Sequence, residues 1–302
     1  MKKHITVGSR GSRLALIQAK SVVTHLASLY PDTEFVITRI STRGDRQKSV
    51  PLQRISGDGV FVKEVQEALI EGRIDLAVHS LKDMPVLTPP RLLLAAVTER
   101  LDSRDALVTS GVKLDELPAG SIIGTGSPRR AAQLLAYRDD LKIKGIRGNI
   151  DTRLRKVSAG EVDGIVMAAA ALIRLGWEDR ITEYLPLEHF LPQVGQGALG
   201  IEIRADDRAV LNLVQPLNHE PTWQGVVAER VFLETMGGGC STAVTSQGVV
   251  NGDTIKLRGM ALGSDGILYA SEEGSVLALE KVARRLAHRL LEMGAGQPAV
   301  KE

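Results

Sequence analysis

Val7-Gly8-Ser9-Arg10-Gly11-Ser12-Arg13 and Ile123-Gly124-Thr125-Gly126-Ser127-Pro128-Arg129-Arg130 are two versions of one turn. Each closes a short apolar run and opens an amphipathic one. Ser127 is a good helix N-cap, because its hydroxyl can accept from first-turn amides, and Pro128 suits the first helical position. A second pair repeats as well. Gly72-Arg73-Ile74-Asp75 and Gly160-Glu161-Val162-Asp163 each precede an apolar, strand-like run. The two echoes predict two similarly built α/β domains facing one cleft.

Working outward, strand-like runs cover His4–Ser9, Glu34–Ile40, Ile74–Ser80, Leu92–Val97, Ser121–Thr125, Lys142–Ile146, Gly164–Ala168 and Ala198–Arg204. Helical periodicity covers Leu14–Leu29, Phe61–Ile70, Pro128–Tyr137, Thr152–Ala159 and Arg208–Leu217. The alternation predicts α/β layers with largely parallel sheets. After about residue 219 the pattern changes. A helix at Trp223–Thr235 is followed by strand-like Ala243–Val250, Thr254–Leu262 and Gly266–Ser271, then a long helix, Ser275–Met293. That order predicts helices on one face of a small antiparallel sheet, an α+β domain. The expected division is 1–99 with 200–217, then 100–199, then 218–302.

Composition narrows the function classes. The 302 residues suit two or three domains and a large core without disulfides. A single cysteine excludes an internal disulfide and a multi-cysteine metal site, and it fits a reducing cytoplasm. Net charge is +2 and aromatics make up 3% of residues, which argues against nucleic-acid binding. No apolar run approaches the roughly 20 residues that span a bilayer, and the start lacks the apolar region of a secretory signal. No metal, nucleic acid or membrane partner is expected.

Three features could carry chemistry. Arg10, Arg129, Arg130, Arg147, Arg153 and Arg155 cluster at strand–helix junctions. A helix start with free amides and several guanidinium forks is a site for carboxylates or phosphates, whereas any single arginine reads as solvated charge. His79-Ser80-Leu81-Lys82-Asp83-Met84-Pro85 follows an apolar strand, so Asp83 falls where ligands of open α/β sheets gather. It reads equally as a turn aspartate. His79 reads as structural. Cys240, after Gly237, Gly238 and Gly239, is either a small buried hydrophobe or a thiol with room for a bulky adduct. Gly195-Gln196-Gly197-Ala198-Leu199-Gly200 fits a dinucleotide pattern but precedes a strand, which is the wrong context.

In order along the chain, these segments resemble the porphobilinogen deaminase (hydroxymethylbilane synthase) family. The resemblance is carried by Ser9-Arg10-Gly11-Ser12, Thr42-Arg43-Gly44-Asp45, Gly59-Val60-Phe61-Val62-Lys63-Glu64, Ala77-Val78-His79-Ser80-Leu81-Lys82-Asp83, Ser127-Pro128-Arg129-Arg130, Arg147-Gly148-Asn149, Val194-Gly195-Gln196-Gly197-Ala198 and Gly238-Gly239-Cys240. It implies two type-2 periplasmic-binding-protein-like α/β domains around a cleft plus a small α+β C-terminal domain. It implies a cytoplasmic, monomeric transferase. Cys240 would hold a dipyrromethane cofactor by a thioether. Four porphobilinogen molecules would be added, each losing ammonia, before water releases hydroxymethylbilane. Asp83 matches the catalytic carboxylate. Ser80, Lys82, Thr125, Ser127, Arg129, Arg130, Arg147, Arg153 and Arg174 match cofactor-binding positions. Arg10, Ser12, Phe61 and Gln196 match substrate-side positions. Each porphobilinogen brings an acetate and a propionate, so a growing polyanion would need the arginines. The departures are Arg13 for a common proline, Asp58 for a common lysine and Ser241-Thr242-Ala243 after the cysteine. The rival reading is a non-catalytic anion-binding module on the same scaffold, with no need of Asp83 or Cys240.

Overall fold

The computed structural model describes residues 2–42, 62–237 and 243–296. Phe61, Asp58, Cys240, Ser241 and Thr242 lie outside the described residues. Among the described residues the strands of the first half are β1 (His4–Arg10), β2 (Glu34–Ile40), β3 (Leu76–Ser80) and β4 (Leu92–Val97). Next come β5 (Asp105–Thr109), β6 (Ile122–Gly124), β7 (Lys142–Lys144), β8 (Gly164–Ala168), β9 (Glu183–Tyr184) and β10 (Leu199–Arg204). The helices are α1 (Arg13–Leu29), α2 (Lys63–Ile70), α3 (Pro128–Tyr137), α4 (Ile150–Ser158), α5 (Ala169–Arg174) and α6 (Arg208–Val214). The chain closes with α7 (Glu220–Thr235), β11 (Val244–Asn251), β12 (Thr254–Gly263), β13 (Gly266–Ser275) and α8 (Leu279–Glu292).

The chain forms two compact units, Met1–Leu101 with Gly197–Trp223, and Asp102–Gln196 with Gln224–Glu302. The first holds a five-stranded sheet in the order β2-β1-β3-β10-β4. The second holds a five-stranded sheet in the order β7-β6-β8-β5-β9 and the three-stranded sheet β11-β12-β13. The two five-stranded sheets share one plan. In each, four strands run the same way, and one, β10 or β5, runs antiparallel between two of them. The two large sheets are thus largely parallel in strand direction, as expected, with one antiparallel strand in each. β10 and β5 are buried along most of their length, so residue alternation carried no hint of their direction.

Both sequence echoes reappear as geometry. Gly72 and Gly160 take φ of 72° and 68°, just past the ends of α2 and α4, where a side chain would be strained. The following amide closes the same helix-ending bond in both: Arg73 donates to Ala68 at 2.9 Å, and Glu161 to Lys156 at 2.9 Å. Asp75 then accepts from the Thr6 amide of β1 at 2.8 Å, and Asp163 from the Ile122 amide of β6 at 2.6 Å. A short carboxylate thus pins the entry of β3 and of β8 to its parallel neighbour.

Each sheet buries its own apolar cluster. In the first unit Ile5, Val7, Leu76 and Val78 pack against Leu26 and Val22 of α1. The other face packs Ala77 against Val65, Ala68 and Leu69 of α2. In the C-terminal segment, α8 turns Val282, Ala283, Leu286, Ala287 and Leu290 onto Ile255, Leu257 and Ala261 of the antiparallel sheet. Gly259 lets that helix approach, since a Cβ there would lie 3.0 Å from both Leu290 and Phe232. Among the described residues no helix is long and apolar enough to cross a membrane.

Candidate functional site

In the first unit the strand ends gather polar groups. β3 ends at Ser80, and one 3-10 turn, Leu81–Asp83, follows. The turn is held by two backbone bonds, from the Leu81 amide to Ala198 at 3.1 Å and from Met84 to Leu81 at 3.1 Å. Asp83 therefore sits one turn beyond a strand end, as its spacing predicts. Its side chain is about a third exposed (34%), and Oδ2 lies 4.0 Å from the Arg10 guanidinium. Ser12 caps α1, accepting from the Ala15 amide at 3.3 Å. Ser80 and Gln18 exchange hydrogen bonds, with Nε2 to Oγ at 2.9 Å and Oγ to Oε1 at 3.1 Å. Arg10, Ser12, Gln18, Val62, Ser80 and Asp83 line one pocket. Lys82, half-buried, lies in the same turn.

In the second unit two of the guanidinium groups, those of Arg129 and Arg130, gather around one carboxylate. Ser127 caps α3, accepting from the Arg130 amide at 3.4 Å, and Pro128 opens the helix. Thr125 Oγ1 accepts from the Ser127 amide at 3.2 Å and shapes the turn. Arg129 and Arg130 are buried, at 4% and 8% exposure, rather than solvent-facing. Both pair with Asp105, at 2.8 and 2.7 Å. Gln196 donates to the same carboxylate at 2.8 Å and to the Ser103 carbonyl at 2.8 Å. Burial opposes the charge on Asp105, yet the two guanidiniums hold it well below the ordinary carboxylate range. Burial lowers the pKa of Arg129, with Asp105 opposing and Arg130 adding to the effect. Burial also lowers Arg174, at the end of α5, to about 10. Arg153 turns back to the Gly148 carbonyl at 2.9 Å, beside Asn149, which caps α4.

Sequence reasoning did not single out Asp105, Gln18 or Gln133. Asp105 opens a strand of only five residues. The two glutamines had a visible signal, since Gly11-Ser12 and Gly126-Ser127 are each followed by glutamine at the same spacing.

The comparisons with known proteins decide the family. The family model for the dipyrromethane cofactor binding domain of porphobilinogen deaminase matches residues 5–212, and its C-terminal domain matches residues 223–293. The chain belongs to the porphobilinogen deaminase family. A porphobilinogen deaminase of Geobacillus kaustophilus is 47% identical over 295 residues, covering 97% of this chain and 96% of that one. A porphobilinogen deaminase of Bacillus subtilis is 45% identical over 298 residues, covering 98% and 95%. Among solved structures, a putative methionine-binding lipoprotein of Bacillus subtilis aligns with a TM-score of 0.44 at 12% identity, covering 72% of this chain and 90% of that one.

Porphobilinogen deaminases are transferases that use a dipyrromethane cofactor, and the second unit has groups that suit one. Among the described residues, Arg129 Nη2, Arg130 Nε and Arg147 Nη1 are buried nitrogens with no hydrogen-bond partner. A buried guanidinium N–H without an acceptor is costly, and a carboxylate is the acceptor that its fork suits. A cofactor built from porphobilinogen carries such carboxylates.

Proposed function

We propose that Asp83 is the proton-handling group of this porphobilinogen deaminase, and that the arginines of the second unit hold the carboxylates of its cofactor and growing product. Buried guanidinium nitrogens that find no acceptor among the described residues support this reading most strongly. The cofactor, when bound, supplies the pyrrole carbon at which chain growth begins. Cys240 anchors it covalently, which keeps partly built product from diffusing away.

Asp83 hands a proton to the departing amine nitrogen of porphobilinogen. It takes one back from the pyrrole carbon where the new bond has formed, so the side chain returns to its starting proton count after each addition. Its negative charge stabilises the cation that develops as ammonia leaves. Arg10 holds a substrate carboxylate beside the proton-handling group, a role supported by its guanidinium lying 4.0 Å from Asp83. Ser12 and Ser80 add hydroxyls to the same pocket. Gln196 and Asp105 set the direction of the Arg130 fork. Lys82, Thr125, Ser127, Arg147, Arg153 and Arg174 contribute to cofactor binding, and Phe61 contributes to substrate binding. The chain works as a cytoplasmic monomer, and residues 218–302 form a third domain. The separate core of α8 and its sheet supports that division.

The test is the intact mass of the purified, denatured protein before and after incubation with porphobilinogen, with peptide mapping. An increment of two linked pyrrole units on Cys240, absent from Cys240→Ser, is expected. A wild-type chain that gains no pyrrole units would remove this reading.

A further inference from the structure

The first unit buries three polar side chains that the reaction does not use. Glu202 on β10 is fully buried. Its Oε1 accepts from Gln66 Nε2 of α2 at 2.8 Å, and its Oε2 lies 3.1 Å from His79 Nε2 of β3. Gln66 and His79 are themselves buried, at 8% and 5% exposure.

The second unit supplies an internal control. Gly72-Arg73-Ile74-Asp75 aligns with Gly160-Glu161-Val162-Asp163. Extended without a gap, the alignment sets Gln66 against Leu154, Ala77 against Ile165 and His79 against Met167. Glu202 pairs with Ala77 across the antiparallel ladder, and Val108 pairs with Ile165 in the same way. Glu202 therefore corresponds to Val108. Leu154, Met167 and Val108 belong to one apolar core cluster. The scaffold accepts three apolar side chains here, so folding does not require the polar trio. Burying polar groups without need is costly or neutral at best, even when they are paired.

The trio is used where the two units differ most. By the same alignment, Ser80-Leu81-Lys82-Asp83 stands where the sister strand runs into Ala168-Ala169-Ala170-Ala171. His79 directly precedes Ser80. On one face of β3, Ser80 is tied to Gln18 of α1. On the other, His79 is tied through Glu202 to Gln66 of α2. The counterpart of Gln18 in the second unit, Gln133, bonds instead to the Leu191 carbonyl.

We propose that Glu202, His79 and Gln66 are positioning residues that fix the end of β3, and with it the Asp83 carboxylate, relative to α2. The proposal rests on the proton-handling role given to Asp83. A carboxylate displaced by about 1 Å from its reacting atoms can lose on the order of 10² in rate, so the polar clamp acts on turnover rather than on folding.

The test replaces the trio by its sister residues in the full-length protein: Gln66→Leu, His79→Met and Glu202→Val together. Unfolding temperature, kcat, KM and pyrrole loading by intact mass are measured on one preparation. Expected are an unfolding temperature at or above wild type, normal loading, kcat lowered at least tenfold and KM changed less than threefold. A folded, loaded triple variant with wild-type kcat would overturn the proposal. Glu202→Gln keeps both hydrogen-bonding partners in reach and should retain kcat within about threefold; a loss as large as the triple's would assign the effect to charge and overturn positioning. Should the triple variant not fold, Gln66→Leu alone decides, with a kcat drop of at least threefold supporting the clamp and no drop refuting it. Asp83→Asn separates this from the reading beneath it. If Asp83 handles the proton, that variant is slow by itself, and adding the triple substitution slows it no further. A fast Asp83→Asn would defeat the assigned role of Asp83, and an additive double defect would defeat the clamp alone.

Discussion

The ends of β3 and β8 lie at equivalent places in two sheets of one plan, yet one carries Ser80-Leu81-Lys82-Asp83 and the other Ala168-Ala169-Ala170-Ala171. The helix starts differ in the opposite sense. After its serine cap, α1 presents Leu14 and Ala15, while α3 presents Arg129 and Arg130. One scaffold thus carries two kinds of charged site. The first unit carries a carboxylate about a third exposed with a guanidinium nearby. The second carries buried guanidiniums organised by a carboxylate that cannot reach solvent. Charge type and burial, not topology, separate the two roles.

The division can be broken most forcefully at Asp105. Asp105→Asn leaves Arg129 and Arg130 buried without a counter-charge and should cost about 3–5 kcal/mol in denaturant unfolding at neutral pH. The folded pKa of Asp105 lies below its unfolded value. Its stabilisation is therefore complete above the unfolded value of about 3.9 and is lost as pH falls towards the folded value. The gap between wild type and variant should stay level from neutral pH to about pH 5 and narrow below about pH 4. A level gap down to pH 2 would mean that the carboxylate is not held ionised by the arginines.

At Asp83 the expected effect falls on rate. Asp83→Asn should unfold like wild type and lose on the order of 10² or more in turnover. The partly exposed carboxylate faces a partly exposed guanidinium, Arg10 at 4.0 Å, so a large loss of stability there would erase the contrast with Asp105.

The glycines that end α2 and α4 sharpen the comparison from the other side, where the units agree. Gly72→Ala and Gly160→Ala meet no atom within 4 Å, and only their positive φ opposes a side chain. Each should cost about 1–2 kcal/mol, and the two losses should match. Unequal losses would show that the shared turn is supported differently in the two units.

Much of this was readable from the chain. The strands Glu34–Ile40, Leu92–Val97 and Gly164–Ala168 and the helix Pro128–Tyr137 match their periodic runs end to end. Asp83 was placed correctly because a strand end and a following turn are local features. The strand Asp105–Thr109 was not found, since only Ala106-Leu107-Val108 marks it and charged residues precede it. Glu202 looks like the exposed half of an alternating strand, Leu199–Arg204. Its burial depends on Gln66 and His79, which are more than a hundred residues away in sequence. Arg129 and Arg130 stand out in the sequence by residue type and position, but their organising partner Asp105 becomes visible only once the chain has folded.

The division of labour itself is tested most directly by one paired measurement on Asp83→Asn: intact mass of the denatured protein and turnover of porphobilinogen from the same preparation. The predicted result is a Cys240 peptide carrying two linked pyrrole units, as in wild type, with turnover reduced on the order of 10² or more. A variant that lacks the adduct, or one that turns over at the wild-type rate, would contradict the separation of cofactor holding from proton handling.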